Sequence, residues 1–220
     1  MKISFIARFT MCTAVTALLL VGCATTGHRA YNRTASEFST LADKIEAAGT
    51  QMDIAASELD GQANNPPPEL QPQFERFAAA VNKLNSLSNL LGQTEKRLAA
   101  RADLHRDSWE KSLVTIRNAD IRKSGESRQA ELQERFDAVR TQCPQVQTAV
   151  APVQSDLQDV VKFLKVELTP NSVKSISTTA NRITAQTTPV RQRLSNLVAD
   201  LRQLSGVLAP REPAPPETLK

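Results

Sequence analysis

The chain has 220 residues, of which 40% are hydrophobic but only 4% aromatic, and its formal net charge is +4. So few aromatic rings favour an aliphatic helix seam over a β-sandwich or a ligand-binding globule. Without residues 1–22 the formal charge is +2, and a domain so close to neutral gives no case for a nucleic-acid partner.

The first 22 residues have the layout of a cleavable secretory signal. Lys2 and Arg8 supply the positive start, and the apolar run from Phe9 to Val21 spans about 13 residues. This run is short of the ~20 residues that a transmembrane helix needs. Removing residues 1–22 takes away two bases and no acid, which lowers the net charge from +4 to +2.

The end of this segment, Leu20-Val21-Gly22-Cys23, resembles the bacterial lipobox. The resemblance implies diacylglycerol on the Cys23 sulfur, cleavage after Gly22 and acylation of the new amino terminus, which together anchor a protein stably. The residue directly after Cys23 is Ala24 and not an Asp, which resembles the sorting pattern for the outer membrane of diderm bacteria. We therefore predict export and anchoring at the periplasmic face of the outer membrane. The alternative is an ordinary secreted protein with a chance cysteine.

The three cysteines leave no intrachain disulfide in the mature chain. Cys12 is removed with the signal and Cys23 is lipidated, so only Cys143 remains. Cys143 falls on an apolar seam, which favours an inert buried thiol over a reactive one.

Behind the anchor, the sequence predicts a tether over residues 23–30, a helical domain over 31–208 and a Pro-rich disordered tail over 209–220. Four helices are predicted at about 31–60, 69–122, 127–168 and 170–208, from apolar residues recurring every three or four positions. Short links between them indicate an all-α, elongated, antiparallel up-down-up-down bundle. Because the first helix is shorter than the second, the tip around residues 116–128 is predicted to be a three-helix bundle that includes the end of the fourth helix.

The first helix carries two stripes at intervals of seven, one large and one small. The large stripe is Tyr31, Phe38, Ile45, Met52 and Leu59, and the small stripe is Ala35, Ala42, Gly49 and Ala56. Small residues at one core position let a neighbouring helix approach closely. Asp60-Gly61 reads as the stop, and the three prolines at 66–68 as a rigid connector.

The second helix has an apolar seam with polar interruptions at Ser88, Glu95, His105 and Ser112. The seam consists of Phe74, Phe77, Val81, Leu84, Leu91, Leu98, Ala102, Trp109 and Ile116. We expect a bend at Gly92 and a tight reversal with a helix N-cap over residues 124–127. Glu95 is interpreted as an edge residue of the core, with a register-setting polar layer as the alternative.

The third helix has the most regular seam, and Pro144 and Pro152 lie off it. The seam consists of Leu132, Phe136, Val139, Cys143, Val146, Val150, Val153, Leu157, Val160 and Leu164. Its unbroken phase predicts a helix that continues through both prolines, although a break at a proline is the alternative. Leu168-Thr169-Pro170 supplies a stop, an N-cap and a proline at the first position of the next helix.

The fourth helix continues the same rhythm, with Thr187 filling one gap. Its seam consists of Val173, Ile176, Ala180, Ile183, Val190, Leu194, Leu197, Leu201, Leu204 and Leu208. Residues 168–199 carry four bases and no acid, whereas residues 31–61 carry six acids and two bases. We therefore predict that the first and fourth helices are antiparallel neighbours. The predicted pairs are Glu58 or Asp60 with Lys174, Asp53 with Arg182, and Glu37 or Asp43 with Arg191 or Arg193.

The residues that carry chemistry are few. The seven glycines form no phosphate-binding loop, and His28 and His105 have no second ligand at metal-binding spacing. We predict no catalytic residue, no cofactor and no metal site. His105 is interpreted as capping an aromatic contact, with a proton switch as the alternative. The mixed charges of residues 101–128 indicate a solvated helix face, with membrane-surface binding at Arg122-Lys123 as the alternative.

Scattered markers resemble a family of bacterial coiled-coil lipoproteins that is catalogued as a domain of unknown function. They are Trp109-Glu110, Asn118, Arg122, Arg135-Phe136-Asp137, Pro152-Val153, Leu164 and Leu168. The resemblance covers most of residues 29–208. It implies a lipid-anchored helical domain and brings no catalytic residues.

These observations predict a non-enzymatic envelope lipoprotein that acts as a helical structural or protein-interaction element, with an envelope protein as partner. The alternative is a periplasmic carrier that holds a lipid or small ligand in a gap between helices. A carrier requires an enclosed apolar cavity, whereas a structural rod requires a filled seam.

Overall fold

The computed structural model describes residues 22–209, with side chains from Tyr31 onward. The helices are α1 Gly22–Asn64, α2 Leu70–Leu84, α3 Leu87–Thr115, α4 Ala119–Val166, α5 Pro170–Ser175 and α6 Ser177–Leu208. They hold 92% of the described residues, and none of these residues lies in a strand. The predicted all-α class is confirmed. The predicted signal peptide over residues 1–22 and the Pro-rich tail lie almost wholly outside this described part.

The helices form an antiparallel up-down-up-down bundle. The main packing partners are α1 with α6 and α2, and α3 with α4, while α4 also packs on α6. The second predicted helix is divided into α2 and α3, and the fourth into α5 and α6. The residues predicted as a tether, 23–30, belong to α1.

One hydrophobic core runs through the four-helix part of the bundle. Both stripes of α1 are buried except for Tyr31, which is half-buried. Every predicted seam residue of α4 is buried, and α4 remains helical through Pro144 and Pro152. A regular seam therefore outweighs the helix-breaking effect of proline, because neither proline faces the core.

The end of α1 differs from the prediction, because the helix passes through Gly61 and ends at Asn64. No glycine in the described residues has a positive φ, so Gly61 is not used as a left-handed cap. The prolines that follow stop the helix instead, since a proline disfavours helical backbone in the residue before it. The missing side chain of Gly61 makes room for Gln73, whose Nε2 donates to the Glu58 carbonyl at 3.2 Å.

The break between α2 and α3 lies at Asn85-Ser86, not at Gly92, which is helical. Asn and Ser are poor helix formers, but the break also needs support from α4. Gln154 supplies it, because its Nε2 donates to the Leu84 carbonyl at 3.0 Å and its Oε1 accepts from Ser88 Oγ at 3.0 Å.

After this break, residues next to the predicted polar positions enter the core, while Leu91, Leu98 and Ala102 stay buried as predicted. Leu87 and Thr94 are fully buried, whereas Ser88 and Glu95, which were predicted to lie on the seam, are only half-buried. Further along, Leu113 is buried in place of Ser112. Each predicted polar interruption except His105 is thus replaced in the core by an adjacent residue. Glu95 lies at the edge of the core, as interpreted from the sequence.

The chain reverses at residues 116–118, one helical turn or more before the predicted site at 124–127. Asn118 caps α4, because its side-chain oxygen accepts from the backbone N–H groups of Asp120 and Ile121 at 3.0 and 3.1 Å. Arg122 donates to the Ile116 carbonyl at 2.6 Å, which closes the turn from the other side. Asn118 therefore provides the N-cap, and Ser124 and Gly125 lie inside α4.

The predicted three-helix tip does not include the fourth helix. At this end α3 and α4 form a hairpin, and α1 continues past Tyr31 in the same direction, to Gly22. The fourth helix does not reach the tip, because α6 ends at Leu208, just past Ser205, which donates to the Ala35 carbonyl at 2.7 Å. Beyond His105, α3 contacts α4 through Gln129, which bonds to the Arg106 carbonyl, and through Leu113, which lies over Gly125. We call residues 106–131 the hairpin tip.

The predicted pairing of the first and fourth helices is confirmed, but its register is wrong. Asp53 pairs with Arg191 rather than Arg182, a shift of nine residues, and Asp43 pairs with Arg202. Exposed ion pairs contribute only about 0–1 kcal/mol each, so core packing sets the register. In this register Gly49 makes room for the Arg191 guanidinium, which a Cβ atom at residue 49 would overlap.

The other predicted pairs take partners on other helices. Glu58 pairs with Arg76 on α2 at 2.8 Å, and Arg182 pairs with Asp156 on α4. Glu37 binds both Arg97 and Arg101 on α3, at 3.2 and 2.6 Å. The acidic side chains of α1 therefore form ion pairs with α2 and α3 as well as with α6.

Candidate functional site

The predicted lipid-attachment residue, Cys23, is the second residue of α1. Its side chain lies outside the described ones, and so do Leu20 and Val21 of the predicted lipobox. The backbone of α1 nevertheless fixes where this residue lies, because an α-helix rises about 1.5 Å per residue. Cys23 is eight residues before Tyr31, or about 12 Å along the helix axis.

A cluster of aromatic rings joins the start of α1 to α3 and α4. The Tyr31 and His105 rings have their centroids 4.5 Å apart, and those of His105 and Phe136 are 5.7 Å apart. Phe136 in turn meets Phe38 edge to face at 5.8 Å. This aromatic cluster closes the four-helix core at the end that carries the hairpin tip.

His105 makes aromatic contacts, as interpreted from the sequence, but Tyr31 and Phe136 are its partners. Burial lowers the pKa of His105, and the positive charge of Arg101 lowers it further. The imidazole is therefore neutral at pH 7, and protonation would oppose its burial. Burial also raises the pKa of Tyr31. Trp109, one helical turn after His105, lies within 4 Å of the position that a Cβ atom at Gly125 would take.

The hairpin tip has a very small core of its own. Leu113 is its one buried large apolar residue in the described structure, and it packs over Gly125. Gln129 on α4 donates to the Arg106 carbonyl on α3 at 3.4 Å. In contrast, Val114 is 83% exposed and Ile121 is 58% exposed. The tip thus presents apolar side chains to its surroundings, which sequence periodicity did not indicate.

Two surface grooves lie on the described part of the bundle. A groove of about 370 Å³ lies between α4 and α6, beside Pro152, Pro189 and Arg193. A second, of about 570 Å³, lies between α1 and the α2–α3 break, beside Lys44, Lys83 and Gln93. Both are open to solvent, and polar side chains contribute to their walls. They lie outside the filled seam, so neither is the enclosed apolar cavity that a carrier requires.

The remaining titratable groups do not converge. Within the described residues, no three His, Cys, Asp or Glu side chains are grouped so that they could hold a metal ion. Cys143 is buried, and burial raises the pKa of its thiol to about 12, helped by the charge of Glu95. A thiol in this state is a poor nucleophile, which fits the interpretation of Cys143 as a small core residue. No described helix is long and apolar enough to cross a membrane.

Comparison with known proteins supplies a family. The model of DUF2959, a family described as proteins of unknown function, matches residues 27–204. No curated protein and no solved structure matches the chain. The matched segment is most of the sequence and contains nearly all of the helical bundle, so the chain belongs to the DUF2959 family.

Proposed function

We propose that this DUF2959 protein is an exported lipoprotein, anchored through Cys23, whose bundle serves as a structural or protein-interaction element of the bacterial envelope. The observation that carries the proposal is the continuity of α1, which places the lipobox cysteine on the same helix as the bundle core. Because α1 packs against the other helices, an anchor at its start would hold the whole bundle at the membrane. We propose no catalytic role, because the described residues that carry chemistry are dispersed.

The packing of the core supports a rod over a carrier. Its large side chains, including Phe38, Phe77, Phe136 and Leu157, are at most 1% exposed and belong to one continuous core between the helices. A carrier would have to displace such side chains to make room for its ligand. The carrier remains the alternative, and it predicts a bound lipid or small molecule that co-purifies with the protein in a fixed ratio.

The anchor is tested by replacing its sulfur. We expect Cys23→Ala to abolish incorporation of a palmitate analogue in cells and to release or strand the precursor, whereas wild type is labelled and fractionates with membranes. The matched control is Cys143→Ala, which removes the other thiol of the mature chain and should leave the label unchanged. Undiminished label on the Cys23→Ala protein would contradict the proposal.

The structural role is tested in the same cells. Crosslinking of the intact envelope followed by mass spectrometry should yield adducts between the bundle surface and a defined protein partner. If the purified protein instead carries one lipid per chain after gentle extraction, the carrier is the better account.

A further inference from the structure

We propose that the hairpin tip is a second membrane contact, which rests on the anionic phospholipid surface next to the lipid anchor. The inference depends on the proposed function only for the identity of the anchored end. Three features of the described structure support it, namely the position of the tip, its charge and its exposed apolar side chains.

The tip and the start of α1 lie at the same end of the bundle. Tyr31 contacts His105, and α1 continues from Tyr31 towards Gly22 in the direction of the tip. Cys23 is about 12 Å beyond Tyr31, and the turn at Arg117 is about 18 Å beyond His105. If the axes are followed, the backbone of Cys23 lies within about 6 Å of the level of the turn. A membrane that holds the anchor is therefore within reach of the tip.

The charge of the tip suits an anionic surface. The hairpin tip as a whole, residues 106–131, carries six bases and five acids, a net charge of +1. The positive charge is concentrated nearest the turn, where residues 111–128 carry five bases and two acids, a net charge of +3. Lys111, Arg117 and Lys123 are exposed. The opposite end of the rod, residues 58–76 and 159–174, carries four bases and six acids, a net charge of −2. The two ends thus differ in sign, and an anionic bilayer attracts only the tip.

The apolar side chains of the tip lie where they can enter the headgroup region. Val114 precedes the turn and Ile121 follows it, and both are more than half exposed. Leu113 is buried over Gly125 while Val114 and Ile121 remain exposed, so these two side chains lie outside the small core of the tip. Exposed aliphatic residues interleaved with bases are the composition of segments that bind at a membrane interface.

The acyl chains alone already hold the protein stably at the membrane. The contact at the tip would therefore serve to fix the orientation of the rod. One attached point lets a rod swing, whereas a second contact at the same end holds its axis away from the bilayer. The 48 residues of α4 span about 72 Å. The connector at 65–69 and the corner at 167–169 would then face away from the membrane.

The test uses mature-length protein, residues 23–220, in which Cys23→Ser removes the sulfur that would carry the lipid and leaves the bundle core unchanged. Any binding to vesicles then comes from the protein surface and not from the anchor. Binding to phosphatidylcholine vesicles with and without one-quarter phosphatidylglycerol is measured by flotation. We expect binding that requires the anionic lipid and weakens in 0.5 M salt. The triple variant Lys111→Glu, Arg117→Glu, Lys123→Glu should bind at least about tenfold more weakly. Arg122 is left in place because it closes the turn.

The matched control makes the same charge change away from the tip, with Lys83→Glu, Lys165→Glu and Lys174→Glu, all at exposed positions. It should change binding by less than about twofold. A second pair removes apolar surface without altering charge: Val114→Ser with Ile121→Ser should weaken binding, and Val166→Ser with Ile54→Ser should not. Circular dichroism confirms that each variant is folded.

Wild-type protein that ignores anionic vesicles, or tip and control variants that lose binding equally, would overturn the proposal. A tip that binds a protein instead of lipid would give the first of these results. Because the vesicle test uses no lipid anchor, its failure is distinct from loss of palmitate label on Cys23 in cells.

Discussion

Two glutamine side chains are buried in the bundle, but only one of them has hydrogen-bond partners in the described structure. Gln154 is 8% exposed and bonds to the Leu84 carbonyl and to Ser88 across the α2–α3 break. Gln62 is fully buried near the end of α1, and neither polar atom of its amide is bonded within the described residues. A buried polar group stabilises a fold only when it is paired, because burial removes its hydrogen bonds to water.

Replacing glutamine with leucine should therefore destabilise the protein at Gln154 but not at Gln62. Gln154→Leu leaves the Leu84 carbonyl buried without a donor, and we expect it to cost about 1–3 kcal/mol of the free energy of unfolding. Gln62→Leu removes unpaired atoms and should be neutral or stabilising. Urea denaturation of both variants measures the difference. Gln158→Leu is the control, because its bond to Asn85 is exposed and its loss should cost less than about 1 kcal/mol. Equal destabilisation at Gln62 and Gln154 would contradict this account.

At the scale of helices, glycines inside α3 and α4 have different surroundings. A Cβ atom at Gly92 would have no neighbour within 4 Å, whereas one at Gly125 would overlap Leu113. Both residues have helical backbone, so neither is required for a left-handed conformation. Gly125 instead lets α3 approach α4 in the hairpin tip, and Leu113 covers it.

Replacing each of these glycines with alanine should therefore distinguish the effect of helix propensity on stability from the effect of packing. Gly92→Ala should stabilise the protein by up to about 1 kcal/mol, because alanine has the higher helix propensity and meets open space. Gly125→Ala gains the same propensity but displaces Leu113, and overpacking costs about 1–3 kcal/mol. We expect Gly125→Ala to speed hydrogen exchange of amides in residues 106–131 while the core stays protected. Equal stabilisation by both alanines would show that the tip is loosely packed.

On the scale of the whole molecule, the contact between α1 and α6 defines the antiparallel register. Asn64 bonds to Asn181 at one end at 2.9 Å, and Ser205 bonds to the Ala35 carbonyl at the other at 2.7 Å. Asp53 pairs with Arg191 between them. This alignment places the start of α1 and the end of α6 beside the aromatic cluster. That cluster lies at the end of the rod that carries the hairpin tip.

Crosslinking can test the register directly. In a Cys143→Ala background, the pair Asn64→Cys with Asn181→Cys should be joined efficiently by a short bis-maleimide, because the two amides touch. The pair Asp53→Cys with Arg182→Cys represents the register that charge alone predicted, and it should react poorly, since Arg182 faces Asp156 on α4. Gel mobility under denaturing conditions reads both reactions. Preferential crosslinking of the second pair would mean that the charge pattern, not the core, sets the alignment.

The sequence by itself determined the class of the fold, the regular seam of α4 and the choice of α6 as the neighbour of α1. These follow from helical periodicity and from charge segregation, both of which are properties of residues along one chain. Tertiary structure decided where helices break and how they align. Asn85-Ser86 is a break because Gln154 on α4 binds the carbonyl that it exposes. The nine-residue change of register brings Asn64 to Asn181 and Ser205 to the Ala35 carbonyl, contacts between helices that no local pattern contains.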